Sequence, residues 1–183
     1  MTLPVETQSP ETDPKSVARA IVLRKLTHAP RTRSELFKDL KKKNVPEEIA
    51  IEVLDRFTEI GLINDELFAS MWTGSRHTYK GLAPRAIAYE LQQKGIDRSL
   101  IDEAVSFITA EQELIAARKI AIRKLKSCVD QSPEATLRKI VSALARKGYG
   151  ANIAFQVAKE VTRLDPELSI EEQLNPEPLT DLN

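Results

Sequence analysis

The side chains able to do chemistry are few in this 183-residue chain, and their spacing argues against catalysis. His28 and His77 are the only histidines and Cys128 the only cysteine. Neither histidine has an Asp, Ser or Cys partner at helical spacing, so no nucleophilic triad is visible, and a metal set would have to recruit several carboxylates. Asp65 and Glu66 are adjacent carboxylates, but neighbours on a helix point apart, and Asn64 or Asp65 reads better as a helix cap. The segment RTRSELFKDL is a helix entry with basic flanks rather than a glycine loop that could cradle phosphates. No catalytic residue, metal or cofactor is expected. Cys128 alone cannot form an internal disulfide, which fits a reducing cytosol, and it reads as a small buried residue.

What recurs instead is positive charge. Arg118, Lys119, Arg123, Lys124 and Lys126 fall on one predicted helix, with 119, 123 and 126 on a common stripe. Arg76, Lys80 and Arg85 cluster around a turn beside Tyr79, and Arg24, Lys25, Arg31 and Arg33 flank an earlier turn. Such side chains can meet an acidic protein surface or DNA phosphates, and Tyr79 could stack on a base or pack against its own turn. The blander alternative is that these are solvated helix faces, which contribute little singly. The overall charge is zero, with 27 Lys and Arg against 27 Asp and Glu, but it is segregated. Residues 16–164 carry 26 basic against 18 acidic side chains, whereas residues 165–183 hold Asp165, Glu167, Glu171, Glu172, Glu177 and Asp181 with no cation. A basic body with an acidic tail points to an anionic partner for the body.

The elements that carry these cations repeat. DLKKKNVPEEIAIEVL (39–54), ELQQKGIDRSLIDEAV (90–105) and ALARKGYGANIAFQVA (143–158) read alike. Leu40, Leu91 and Leu144 close one helix; Lys43, Lys94 and Lys147 face the negative end of its dipole; Asn44, Gly95 and Gly148 stop it, because both residue types accept a left-handed backbone. Apolar residues then recur every four positions: Val45, Ile49, Val53 and Phe57 in the first copy, Ile96, Leu100, Ala104 and Ile108 in the second, Tyr149, Ile153, Val157 and Val161 in the third. A repeat of about fifty residues is near the lower limit for an independent core, so neighbouring copies are expected to share one.

In chain order, residues 1–15 are expected to be a disordered tail, with Ser16 capping the first helix before Pro30 ends it. Three-helix repeats are expected at 16–63, 64–110 and 111–164, followed by an acidic, mobile tail at 165–183 with a short helical turn at 170–174. Pro46 suits a first helical turn; Tyr79, Lys80 and Gly81 read as a turn; Asp97 and the run Ser132, Pro133, Glu134 start helices. Leu67, Phe68, Met71 and Trp72 are expected to form an apolar core face. The fold class is therefore all-α, with no alternating runs that would support strands. No signal peptide and no apolar run of membrane-spanning length is visible, so a soluble cytoplasmic protein without a membrane partner is expected.

Three stretches carry a resemblance to a known family: TRSELFKDLKKKNVPEEIAIEVLDRFTEIGLINDELFA (32–69), YKGLAPRAIAYELQQKGI (79–96) and, more weakly, ALARKGY. The chain resembles the RecX regulatory family of bacteria, modulators of the RecA recombinase, over roughly residues 16–164. The resemblance implies an elongated, curved array of three tandem three-helix repeats and no enzymatic activity. It implies binding along the helical groove of the RecA filament on single-stranded DNA, blocking of filament extension, and suppression of recombinase and ATPase activity in DNA repair and recombination. The filament is then the partner and the single-stranded DNA within it a candidate contact; no small-molecule substrate is implied, and a monomer is expected. Asn44 in place of glycine and the acidic tail depart from the family pattern. Read without the resemblance, residues 32–63 also allow a helix-turn-helix DNA-binding regulator, though no hairpin wing follows Ile63, and a scaffold for another helical partner stays open.

Overall fold

The computed structural model describes residues 13–128 and 131–163. Among them the chain forms nine helices and no strand: α1 (Pro14–His28), α2 (Arg33–Lys41), α3 (Glu47–Glu59), α4 (Asp65–Lys80), α5 (Pro84–Gln93), α6 (Arg98–Ser106), α7 (Ala110–Leu125), α8 (Pro133–Arg146) and α9 (Ala151–Arg163). The all-α expectation holds. The chain divides into two compact units, Met1–Ala69 with Leu91–Leu100, and Ser70–Glu90 with Ile101–Asn183. Of the tail expected to be disordered at 1–15, residues 1–12 lie outside the described residues, as do the acidic tail and the helical turn at 170–174, whereas Pro14 and Lys15 already belong to α1.

Local signals set the helix ends. Asp13, not Ser16, caps α1: its carboxylate accepts from the amides of Lys15 and Ser16 at 3.1 and 3.2 Å, and Pro14 occupies the first turn, where no amide proton is needed. Thr32 and Glu35 form a reciprocal capping box on α2, and Thr109 and Gln112 form another on α7. Pro46 sits at the N-cap of α3 rather than inside it, and Ser132 caps α8 through the Ala135 amide at 3.3 Å. At α4 the cap is Asn64, whose side chain accepts from the Leu67 amide at 2.7 Å. Asp65 is thereby released for another task, accepting from the Arg33 amide at 2.9 Å. Burial pushes the Asp65 carboxyl above its ordinary range, a shift opposed by that amide bond and the Arg33 charge.

In the first unit α1, α2 and α3 pack on one another around Ala18, Val22, Leu36, Leu40, Leu54, Phe57 and Ile63. In the second, α7, α8 and α9 enclose Ala117, Ala121, Ile140, Leu144, Tyr149, Val157 and Val161. The spacing of three or four keeps these side chains on one face of each helix, so burial follows directly from the periodicity. The apolar start of α4 behaves differently from expectation. Phe68 is buried, but Leu67 and Met71 are 56 % and 58 % exposed and Trp72 is half-buried. The indole of Trp72 keeps a polar edge to satisfy: Nε1 donates to Glu90 at 2.8 Å, and the Arg76 guanidinium lies 3.7 Å from the ring centre.

The repeated helix stops are docking points within each unit. In the first, Lys94 O accepts from the Thr32 hydroxyl at 2.7 Å and Lys94 Nζ pairs with Glu35 at 2.7 Å. In the second, Lys147 O accepts from the Ala83 amide at 2.9 Å and Lys147 Nζ donates to Lys80 O at 2.8 Å. These lysines therefore bridge to another helix start, beyond any effect on their own helix dipole. The glycines follow from the same contact. A Cβ on Gly95 would come 2.2 Å from Ser34 Oγ, and one on Gly148 would come 2.6 Å from Ala86 Cβ. Asn44 is exposed at φ 56°, so the first stop tolerates a side chain in the left-handed region.

Candidate anionic-partner cleft

The second docking joint shapes a cleft. Its floor begins where α4 ends, at a turn pinned on three sides: His77 Nδ1 lies 3.1 Å from Leu82 O, Tyr149 Oη donates to Gly81 O at 3.2 Å, and Lys147 holds Lys80 O. Against this turn runs α7, contributing Gln112, Ile115, Ala116, Lys119, Ile120 and Arg123. The space enclosed is about 280 Å3. Tyr79 and Lys80, expected in the turn, are the last residues of α4, and Tyr79 is 85 % exposed on the cleft wall.

Four of the expected contact residues thus meet in one place: Tyr79, Lys80, Lys119 and Arg123. They come from two helices separated by some forty residues in sequence, joined here because the α4–α5 turn is clamped to the end of α8. Lys80, Lys119 and Arg123 make no ion pair among the described residues, and an exposed aromatic stands beside them. Three cations, an aromatic face and apolar Ile115 and Ile120 suit an anionic, partly apolar ligand such as an acidic protein surface or a nucleic-acid backbone with a stacked base. Polar groups below the cleft are tuned by burial. The Glu113 carboxyl is pushed above its ordinary range by burial, with the His77 charge pulling the other way, and the Tyr149 phenol is pushed up to about 12 by burial and by Glu113.

Other expected contacts are placed elsewhere. Arg76 is occupied: its Nε donates to Glu90 at 2.8 Å while its guanidinium covers Trp72, so it does not line the cleft with Lys80. Arg85 is exposed on α5 and Lys126 at the end of α7, neither lining the cleft. Arg118 grips Glu160 with two bonds, at 2.8 and 3.1 Å. In the first unit Arg24 is exposed, Arg31 half-buried, Arg33 paired with Asp55, and Lys25 with Asp39 at 3.0 Å. Sequence reasoning passed over a second cationic groove, formed by Lys124 of α7 with Arg138, Lys139 and Arg146 of α8. Its signal was present in Arg138, Lys139, Ser142 and Arg146, polar residues on the side of α8 away from buried Thr136, Ile140 and Leu144.

Among the described residues no cluster of His, Cys, Asp and Glu could hold a metal ion, and no helix is long and apolar enough to cross a membrane. Two family models match the chain, the first three-helix domain of RecX over residues 18–57 and the second over 64–105. Among similar proteins, the regulatory protein RecX of Streptomyces coelicolor is 48 % identical over 155 residues, covering 85 % of this chain and 82 % of that protein. The regulatory protein RecX of Thermobifida fusca is 42 % identical, covering 78 % of this chain and 77 % of its own length. A crystal structure of regulatory protein RecX superposes with a TM-score of 0.74 at 27 % identity over 81 % of this chain and 74 % of that one. The RecX structure from Lactobacillus salivarius, 23 % identical, gives 0.75 over 81 % and 97 %, a likeness of fold.

Proposed function

The chain belongs to the RecX family of regulatory proteins, and on that premise we propose that it binds RecA nucleoprotein filaments in the cytoplasm and inhibits their recombinase and ATPase activities. The observation that carries this reading is the convergence of Tyr79, Lys80, Lys119 and Arg123 on one cleft, with the three cations unpaired among the described residues. A cation that no carboxylate of the fold neutralises is available to a partner, and long-range attraction speeds encounter with a charged polymer. The protein acts by occupying the filament groove rather than by transforming a substrate, and it does so as a monomer built of three-helix repeats at 16–63, 64–110 and 111–164. Single-stranded DNA within the filament is the contact proposed for Tyr79, whose exposed ring can stack on a base.

The test is inhibition of single-stranded-DNA-dependent ATP hydrolysis by RecA, titrated with wild-type chain and with the Lys119→Glu/Arg123→Glu variant. The variant is expected to need at least about tenfold more protein for the same inhibition, about 1.4 kcal/mol. Unchanged potency in a variant of unchanged helicity would remove the cleft from the interface. Selective binding of one duplex sequence in the absence of RecA would instead favour a helix-turn-helix regulator.

A further inference from the structure

The groove between α7 and α8 is lined by four cations. Lys124, Arg138, Lys139 and Arg146 line an open space of about 450 Å3 together with Ala135 and Ser142. None of the four cations makes an ion pair among the described residues, in contrast to Arg118 on the same α7, which is held by Glu160. Glu134, in the first turn of α8, feels the charge of Arg138: its carboxyl lies below its ordinary range through its own backbone amide and Ser132, with Arg138 adding to the effect. Without an ion pair among the described residues, the four cations keep their charge available to an anion.

The chain also carries a segment of the opposite charge. Helix α9 ends at Arg163, and the twenty residues that follow, 164–183, carry six carboxylates and no Lys, Arg or His. Helix α9, whose last residue Arg163 is the point of attachment, packs on both α7 and α8, the helices that build the groove. Glu171 and Glu172 are eight and nine residues past Arg163, a reach of up to roughly 30 Å of extended chain, longer than α9 itself at about 20 Å. A tethered segment of this length reaches an effective concentration on the order of millimolar at a nearby site, which lets weak contacts compete with free anions.

We propose that the acidic segment 164–183 docks in the α7–α8 groove, with Glu171 and Glu172 against Arg138 and Lys139, and shields that surface from nucleic acid. Opposite charges and a short tether provide the attraction, and no particular fold of the segment is required. The device makes the second cationic surface conditional: a polyanion dense enough to displace the segment gains access, and a short or sparse one does not. Docking of the segment takes place in the isolated chain and does not require filament binding through the Lys119 cleft.

A nitroxide on Ser169→Cys of the full chain, with Cys128 buried, reports the position of the segment through broadening of amide signals. Residues 135–146 are expected to lose intensity selectively at low salt, and to recover it in 1 M NaCl, where the screening length falls to about 3 Å. They should recover also in Arg138→Glu/Lys139→Glu and in Glu171→Gln/Glu172→Gln/Glu177→Gln, a pair of variants that perturb opposite partners. Even broadening across the chain, or broadening of the groove that survives both variants, would overturn the proposal. A second readout uses oligo-dT alone, without recombinase. The glutamine variant is expected to bind it severalfold more tightly than wild type at low salt. Equal affinity, with the same groove signals shifting in both chains, would assign the groove to nucleic acid instead of the segment.

Discussion

Ala83 donates its amide proton to the carbonyl of Lys147 at 2.9 Å, so the start of α5 and the end of α8 share one backbone hydrogen bond. Around it close a lysine, a glycine and a tyrosine from consecutive positions: Lys147 Nζ on Lys80 O, Gly148 against Ala86, and Tyr149 Oη on Gly81 O. The pairing of Lys94 and Gly95 with Thr32, Ser34 and Glu35 repeats this arrangement in the first unit. A helix stop therefore serves as a latch, and the cleft beside Tyr79 depends on the second latch being closed.

Gly148→Ala should destabilise the chain by about 1–3 kcal/mol, because the new methyl meets Ala86 at 2.6 Å while φ stays at 88°. Gly150→Ala, with nothing within 4 Å of the added methyl, loses only the N-cap preference of glycine at the start of α9 and should cost less than about 1 kcal/mol in urea denaturation. Similar midpoints for the two variants would show that the latch adds no steric constraint.

Thr32 is fully buried and its hydroxyl works twice, donating to Lys94 O at 2.7 Å and accepting from the Glu35 amide at 3.1 Å. Thr32→Val keeps the shape and removes both bonds, leaving a carbonyl and an amide unsatisfied, for a loss of about 2 kcal/mol. Thr32→Ser keeps both and should lose less than half of that in the same denaturation experiment.

The Tyr149 phenol is raised from 10.0 to about 12, chiefly by burial and then by the Glu113 charge. A group with a raised folded-state pKa contributes stability that is fully present below its unfolded value and lost as pH rises through the folded one. Wild-type stability should thus fall between pH 10 and 12 more steeply than that of Tyr149→Phe. Parallel pH profiles for the two chains would mean that Tyr149 ionises in the fold as it does in the unfolded chain.

Within the cleft, Lys119→Glu/Arg123→Glu should weaken RecA ATPase inhibition by about tenfold. Arg118→Met, one position from Lys119 but paired with Glu160, should leave potency unchanged and lower stability by less than about 1 kcal/mol, since both side chains are a third or more exposed and screened by water. Equal loss of potency in the two chains would point to general electrostatics rather than this cleft.

By itself the sequence determined the helices and their inward faces. The recurrence of Leu40, Leu91 and Leu144, of the left-handed stops, and of apolar residues every four positions leaves no other secondary structure, because helical period and capping chemistry are local properties of the chain. It also marked the cations, since charge is a matter of composition. Which cations remain available was decided by tertiary structure. Arg76 and Arg118 find carboxylates fourteen and forty-two residues away, Lys94 and Lys147 are taken up by latches, and Lys80, Lys119 and Arg123 are brought to one cleft. The exposure of Met71 was likewise invisible, because the apolar stripe of α4 is wider than the surface that covers it. Pairing between residues distant in sequence depends on which helix starts meet which helix stops, and no local pattern of residue types encodes that meeting.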